Sequence, residues 1–535
     1  MIPGLIPKPP RAAIAIPLLT ALLAGLSACS DKAPEAEPPP PTSKTAVESK
    51  PVAMVEVANP SNFARSDQPV YLSRQALGTT AEHLSVWVVD AQSIVEDAQS
   101  TVEDAQSIVE DAQSIVEDSP IPSQMVDMDG DGSEDGLLVL LNFDPAEKKY
   151  LAIKDSPAQL KIKSRTQAEI SAKQGGKWEE HKYIGGTFKN LDSLIAPPAH
   201  TDHSGYIRYE GPGIESDKVG YRIYLDWRNG FDIFGKTTSA LALQNVGQDG
   251  FESYHHLSDW GMDILKVGDS LGAGGFGYWH DGRVEAVSKV NQRAVRISAN
   301  GPLLSSFELT YKNWQTTSLK TDLSARLSMV AGSRLVNATL KSNPAVDKLA
   351  IGLVKHDNTQ WIEGSTDITG RAYTYVASYG PQSLNDDNLG MALIFRKQDR
   401  AEQTEDEHSY VSVMKTPAGK MEYYFLAAWE KEPGGIKNQQ EFIQYLEREI
   451  EKLTLKPRVS IKSQLSTEAK AGPLTPEQAT DWAVKLADAQ LQTSALDYRY
   501  GGWDPVRARP LEFEYTTGLL MQGYDELYRA ASDHN

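Results

Sequence analysis

The succession of apolar and polar positions divides the chain into unlike territories. From Val52 onward short apolar stretches alternate with clusters of Gly, Asn, Asp and Pro. VWVVD, LLVLLNF, YRIYLDW, RAVRIS, SFELTY, ARLSMV, RLVNATL, LAIGLV, YTYVASY, MALIF and MEYYFLAAW each have the length and β-branched or aromatic content of a strand. So many strands with few helical periods predict a mainly β domain over residues 52–455, built as a β-sandwich or two joined sandwiches. GIKNQQEFIQYLEREIEKLT departs from this, placing Phe442, Tyr445, Leu446, Glu449 and Leu453 at near-helical spacing. Residues 456–474 read as a linker. Residues 475–535 turn helical, with Thr475 as an N-cap and Pro476 at the first helical position.

A repeat interrupts the first strand region. Val88 to Asp118 contains VVDAQSI, VEDAQST and VEDAQSI units, and Val95, Ala98, Val102, Ala105, Val109, Ala112 and Val116 follow alternating spacings of three and four. Such near-identical units fit a tandem expansion within a hairpin loop, acidic on its surface; a partner-binding coil is the alternative.

The amino end carries two cations, Lys8 and Arg11, then an apolar run from Ala12 to Leu26. That run is shorter than the ~20 residues of a membrane span, so residues 1–29 read as an export signal. Leu26-Ser27-Ala28-Cys29 resembles the lipobox of bacterial lipoproteins, which implies lipidation at Cys29, the sole cysteine. Ser30 in the next position suits the outer membrane, so the expected address is the cell envelope, with membrane contact only through lipid. Residues 30–51, rich in Pro, Glu, Ala and Ser, form a tether without apolar surface to bury.

The formal charge of −19 argues against a sequence-independent nucleic-acid binder, which needs a basic footprint. Nine acids and no base lie within residues 90–118, leaving −10 on the rest.

Three groups of residues carry candidate chemistry. Asp127, Asp129, Asp131, Ser133 and Asp135, with Gly132 at the sixth position, match an oxygen-rich calcium loop. Leu138 replaces the bidentate Glu of an EF-hand and the flanks are strand-like, so this is either a structural calcium clip between strands or an ion-free Asp/Gly hairpin. In GYRIYLDWRNGFDIFGK, alternation places Tyr221, Ile223, Leu225 and Trp227 on one face and Arg222, Tyr224, Asp226 and Arg228 on the other. That polar row could neutralise a uronate and supply a phenol, or be an Asp between two Arg on a solvated face. Five of the ten histidines lie between residues 200 and 280. His200, Asp202 and His203 fall in one stretch, and His255, His256, Asp259, Trp260 and Asp263 in another; were the second a helical turn, His255, Asp259 and Asp263 would share a face. No transition-metal spacing occurs among them. His356 and Trp361 in KHDNTQWIE could face the same cleft. Trp227, Trp260, Trp279, Trp314 and Trp361 suit stacking on sugars, although a single Trp commonly belongs to the core.

GYRIYLDWRNGFDIFGK and YHHLSDWGMDILKVGDSLGAGGFGYW, with NPSNFARSDQPVYL and VDMDGDGSEDGLLVLL, resemble the family catalogued as domain of unknown function 4861, over about residues 53–455. The heptad expansion departs from it. The resemblance implies an exported protein associated with polysaccharide breakdown and a mutarotase-like supersandwich, and it brings no assigned catalytic residue. DWAVKLADAQLQ through FEYTTGLLMQGYDELYRAA is similar to the opening helices of unsaturated glucuronyl and rhamnogalacturonyl hydrolases, which are (α/α)6 barrels. Their catalytic acids would fall beyond Asn535, so hydrolase activity of that kind is not expected of this fragment.

These features give three functional expectations. The first is β-elimination on a uronate-containing glycan, by a lyase or an oligosaccharide dehydratase, with Arg222 or Arg228 holding charge, His256 or His203 as base and Tyr224 as acid. His200, His255, Asp259, Trp260, His356 and Trp361 would bind substrate. The second is a glycan-binding lipoprotein without catalysis, and the third a hydrolase with paired acids such as Asp226 and Asp263. No organic cofactor is expected.

Overall fold

A computed structural model describes residues 51–89, 119–127, 130–357, 359–365 and 371–463. The repeat units from Asp90, Asp129, Cys29 and the tail after Ser463 lie outside the described residues.

The chain is mainly β, and its strands form two sandwiches. In the smaller, Pro51–Ala58 alternates buried and half-buried residues and pairs with Lys148–Asp155 and with Arg458–Ser463. Leu84–Val89 completes this sheet at the edge. Opposite it lie Arg65–Ser73, Gly136–Phe143 and Ser123–Val126. Val55, Val57, Leu72, Val86, Val139 and Ile153 fill the space between them. The strand Arg458–Ser463 falls within the segment expected to be a linker; its short polar alternation becomes a strand only because the chain returns beside Pro51–Ala58.

The larger sandwich sets a nine-stranded antiparallel sheet against sheets of six and five strands, which share one core. In this nine-stranded sheet Tyr373–Pro381, Asn388–Arg396 and the end of Lys420–Trp429 are buried on both faces. In Tyr373–Pro381, Val376 enters the main core, whereas Tyr375, Ala377 and Tyr379 face the helix Gln439–Thr454. That helix presents Phe442, Leu446 and Ile450, and Asn438 caps it by accepting from the Glu441 N–H.

Gln124 joins the two sandwiches: buried, it accepts from the Leu303 and Leu304 N–H groups at 2.8 and 2.9 Å and donates to the Leu304 carbonyl at 3.0 Å.

Candidate functional site

The six-stranded sheet builds the site. In the hairpin of Gly220–Ile223 and Phe231–Lys236, Arg222 stands directly opposite Asp232. The neighbouring strand Gly261–Asp263 brings Asp263 beside them. Arg222 donates to Asp232 Oδ2 from Nε at 3.0 Å and from Nη2 at 2.7 Å, and also pairs with Asp263. Nη1 reaches the Tyr254 hydroxyl at 3.1 Å and the Tyr209 carbonyl at 3.5 Å, Nη2 also meets the Tyr224 hydroxyl at 3.3 Å, and Tyr224 donates to Asp232. Arg222, Asp232 and Asp263 are at most 2% exposed. Burial, then the neighbouring Asp232, pushes the Asp263 carboxyl well up against the opposing pull of Arg222. Burial likewise raises the Tyr254 phenol to about 12.

Beyond Tyr224 the chain leaves the sheet. Asp226, fully buried, accepts from the Arg228 N–H at 2.9 Å and closes a turn in which Asn229 has φ 47°. This turn aims the Arg228 guanidinium at Asp202 (2.7 Å) and Glu210 (3.2 Å), and lays it over the Tyr224 ring at 4.1 Å. His203 donates through Nδ1 to Asp202, and its backbone N–H donates to Glu210 Oε1 at 2.8 Å. Nε2 of His203 is thus left as the basic nitrogen, on a ring 44% exposed. Phe251 lies between His203 and His255, at 4.2 and 4.3 Å. His255 donates from Nδ1 to the Phe251 carbonyl at 2.9 Å, and its Nε2 stands 3.5 Å from Asp263. Burial lowers the pKa of both His255 and His200. His200 Nδ1 meets Ser204 Oγ at 2.7 Å, and its buried Nε2 has no hydrogen-bond partner.

His203 (φ 54°), Tyr209 (φ 37°), Glu210 (φ 71°) and Asn229 (φ 47°) hold left-handed backbone conformations around this cluster. Each costs about 1–3 kcal/mol and persists only where the surroundings enforce it. Buried pairs beneath enforce it: Arg208 bonds Glu169 at 2.5 Å and the Leu243 and Val246 carbonyls, while Lys236 bonds Glu215 at 2.5 Å. Arg228 and the half-exposed Trp227 also wall a cavity of about 210 Å³, with Ser270, Ser288 and Asp406.

Asp202, His203 and Glu210 hold possible metal-ligating atoms within 4.8 Å of one another. Arg228 already lies on both carboxylates, so a guanidinium occupies the place a cation would take.

The two predicted constellations, the arginine strand and the histidine stretches, therefore meet in one cluster holding Arg222, Tyr224, Arg228, His200, His203 and His255. Its interior is sealed, and this corrects the expected arrangement of the polar row: Arg222 and Tyr224 face buried carboxylates instead of solvent, because Asp232 and Asp263 come from adjacent strands. The helical turn expected at 255–263 is also corrected. A short 3-10 turn, Phe251–Tyr254, ends at His255, and Ser258 and Gly261 then bond each other to enter the strand. Asp259 is consequently exposed, its carbonyl accepting from Thr237 Oγ1, and His256 is exposed. Trp260 packs on Phe234 at 5.9 Å. His356 donates to the Lys266 carbonyl at 2.8 Å, and Trp361 stacks on Tyr410 at 4.3 Å; neither bonds to the cluster. In the acidic loop, the Asp127 carboxylate accepts from the Gly130 and Gly132 N–H groups at 2.6 and 3.0 Å, Ser133 N–H donates to Asp131, and the flanking strands pair as a hairpin.

Sequence reasoning missed Asp232 and Glu210. A lone acid inside the apolar strand FDIF was a readable signal of a buried partner for Arg222. Nothing local marks Glu210, which is brought in by the left-handed turn at Tyr209.

The fold and site define a two-sandwich β protein in which a sealed arginine–carboxylate–tyrosine network supports a surface cluster of arginine and histidine. The chain belongs to the family described as Domain of unknown function (DUF4861), whose model matches residues 57–459. No curated protein matches it in sequence. Among solved structures it is similar to a glycosyl hydrolase family 38 protein from Enterococcus faecalis, at 8% identity and TM-score 0.36, with 78% of this chain and 49% of that one covered. It is similar also to an alpha-mannosidase from Enterococcus faecalis V583, at 8% identity and TM-score 0.37, covering 78% and 47%. A third is a putative aldose 1-epimerase from Klebsiella pneumoniae subsp. pneumoniae MGH 78578, at 10% identity and TM-score 0.27, covering 55% and 97%. The chain spans about half the length of the first two.

Proposed function

We propose that the protein is carbohydrate-active and acts on uronic-acid-containing glycans by β-elimination, as a lyase or an oligosaccharide dehydratase. The observation that carries this reading is the position of Arg228, which touches the His203–Asp202 pair, covers the Tyr224 ring and walls an open cavity beside Trp227. In such a reaction a base removes the proton on C5, the C4–O bond breaks with a proton delivered to the leaving oxygen, and a C4–C5 double bond remains. A guanidinium on the uronate carboxylate stabilises the enolate-like charge that develops. Both guanidiniums are paired with carboxylates, Arg228 with Asp226, Asp202 and Glu210, but Arg228 is partly exposed and lines the cavity whereas Arg222 is sealed away from it, so Arg228 suits that role better. His203 suits the base, since Asp202 holds its Nδ1 proton and leaves Nε2 free to accept. Tyr224 is the acid candidate. Its 6% exposure favours a second reading, binding without turnover, unless the substrate carboxylate draws Arg228 away from the ring.

Kinetics of His203→Ala, His256→Ala, Tyr224→Phe and Arg228→Lys on a uronate oligosaccharide that yields unsaturated product test this. His203→Ala and Tyr224→Phe are expected to lower kcat at least about 100-fold, and Arg228→Lys to raise KM. Full activity in both His203→Ala and Tyr224→Phe would end the proposal, and loss confined to His256→Ala would move the base. We propose also that Cys29 carries lipid at the cell envelope; Cys29→Ser should then shift the protein from the membrane to the soluble fraction, and an unchanged distribution would contradict it.

A further inference from the structure

We propose that a second sugar subsite continues the Arg228 cavity along the strand Arg283–Ala286, so that the substrate is an acidic oligosaccharide and not a single uronate. This rests on the reading of Arg228 as the carboxylate site. A second hollow, of about 290 Å³, is lined by Arg283, Glu285, Lys289, Gln315, Thr316 and Thr317. It shares Ala286 and Ser288 with the cavity at Arg228, so the two hollows adjoin at the edge strand Arg283–Ala286. Together they fall in the range of roughly 300–1,000 Å³ typical of ligand sites.

The chemistry of the second hollow fits a hydroxylated, negatively charged ring. Glu285 accepts from the Thr317 N–H through Oε2 at 2.8 Å, while its buried Oε1 accepts no hydrogen bond. A buried acceptor without a donor costs about 1–3 kcal/mol, and a sugar hydroxyl is a donor of the right kind. Arg283 and Lys289 are exposed; the charge of Arg283 also acts on Glu285, and Lys289 is the cation best placed to meet a carboxylate or sulfate on the same ring. The junction is rigid on one side. Ser288 Oγ donates to the Trp227 carbonyl at 2.7 Å, and Arg293 holds the Val287 carbonyl at 3.0 Å, fixing the backbone that carries the half-exposed indole on the wall of the Arg228 cavity. An indole face there would stack on the ring linking the subsites.

Calorimetric titration of the full chain with galacturonate oligomers and with sulfated ulvan oligomers, each as disaccharide and tetrasaccharide, tests the inference. The tetrasaccharide of at least one series should bind at least ten times more tightly than its disaccharide. Glu285→Ala and Lys289→Ala should abolish that preference while leaving disaccharide affinity unchanged, and Glu285→Gln with an unshifted melting temperature guards against a folding defect. Equal affinity for both lengths, or a preference that survives both alanine variants, overturns the second subsite. Disaccharide binding that persists in Arg228→Ala overturns the uronate reading instead, and absence of binding by every probe overturns both. A preference confined to one series tells carboxylate from sulfate at Lys289.

Discussion

Arg222 holds a full charge where water is excluded, and its five polar partners, Asp232, Asp263, Tyr224, Tyr254 and the Tyr209 carbonyl, make that tolerable. Removing one side of a buried ionic network leaves the other uncompensated, which typically costs about 3–5 kcal/mol. Arg222→Met should therefore lower the free energy of unfolding in denaturant by about that amount, whereas a loss below about 1 kcal/mol would mean that Asp232 and Asp263 do not depend on its charge. The histidines of the cluster link stability to pH. Burial holds the pKa of His200 and His255 below 6.5, so the unfolded chain takes up their protons first as pH falls. Their contribution is complete above about pH 6.5 and is lost as pH falls from there through the lowered folded-state values. Melting temperatures followed from pH 8 to 5 should fall through that window, and His200→Gln combined with His255→Gln should flatten the slope; an unaltered slope would contradict the assignment.

Strand and helix positions were legible because apolar spacing reports them directly. YTYVASY, MALIF and MEYYFLAAW occupy Tyr373–Pro381, Asn388–Arg396 and Lys420–Trp429, and the helix begins at Gln439 one residue after its cap. What local pattern could not convey was pairing between segments. Trp227, placed on the core face by alternation, is half exposed because Asp226 bends the chain one residue earlier. The Arg222–Asp232–Asp263 network needs three strands in register, and no single segment states that register. The helix offers a test of element packing. A Cβ on Gly390 would come within 2.7 Å of the Phe442 ring, so Gly390→Ala forces the ring aside. A destabilisation of about 1–3 kcal/mol is expected, partly recovered when Phe442→Leu is added. Denaturant melts of the single and double variants measure it, and strict additivity would show that the two positions do not compete for space.

At the scale of the molecule, the larger sandwich supplies the six-stranded sheet that carries the charged network, and the turns at its edge bring the arginine and histidines to the surface. The strain held at His203, Tyr209, Glu210 and Asn229 lies around the proposed site, where backbone enforced by buried pairs can hold reacting groups in place. Whether that arrangement performs elimination is decided most directly by ultraviolet absorbance after mixing the protein with galacturonate, ulvan and alginate fragments. The account predicts that absorbance from a new carbon–carbon double bond grows with wild-type protein on one of them and is nearly abolished by His203→Ala. New reducing ends without that absorbance, or an undiminished rate in the variant, would contradict it.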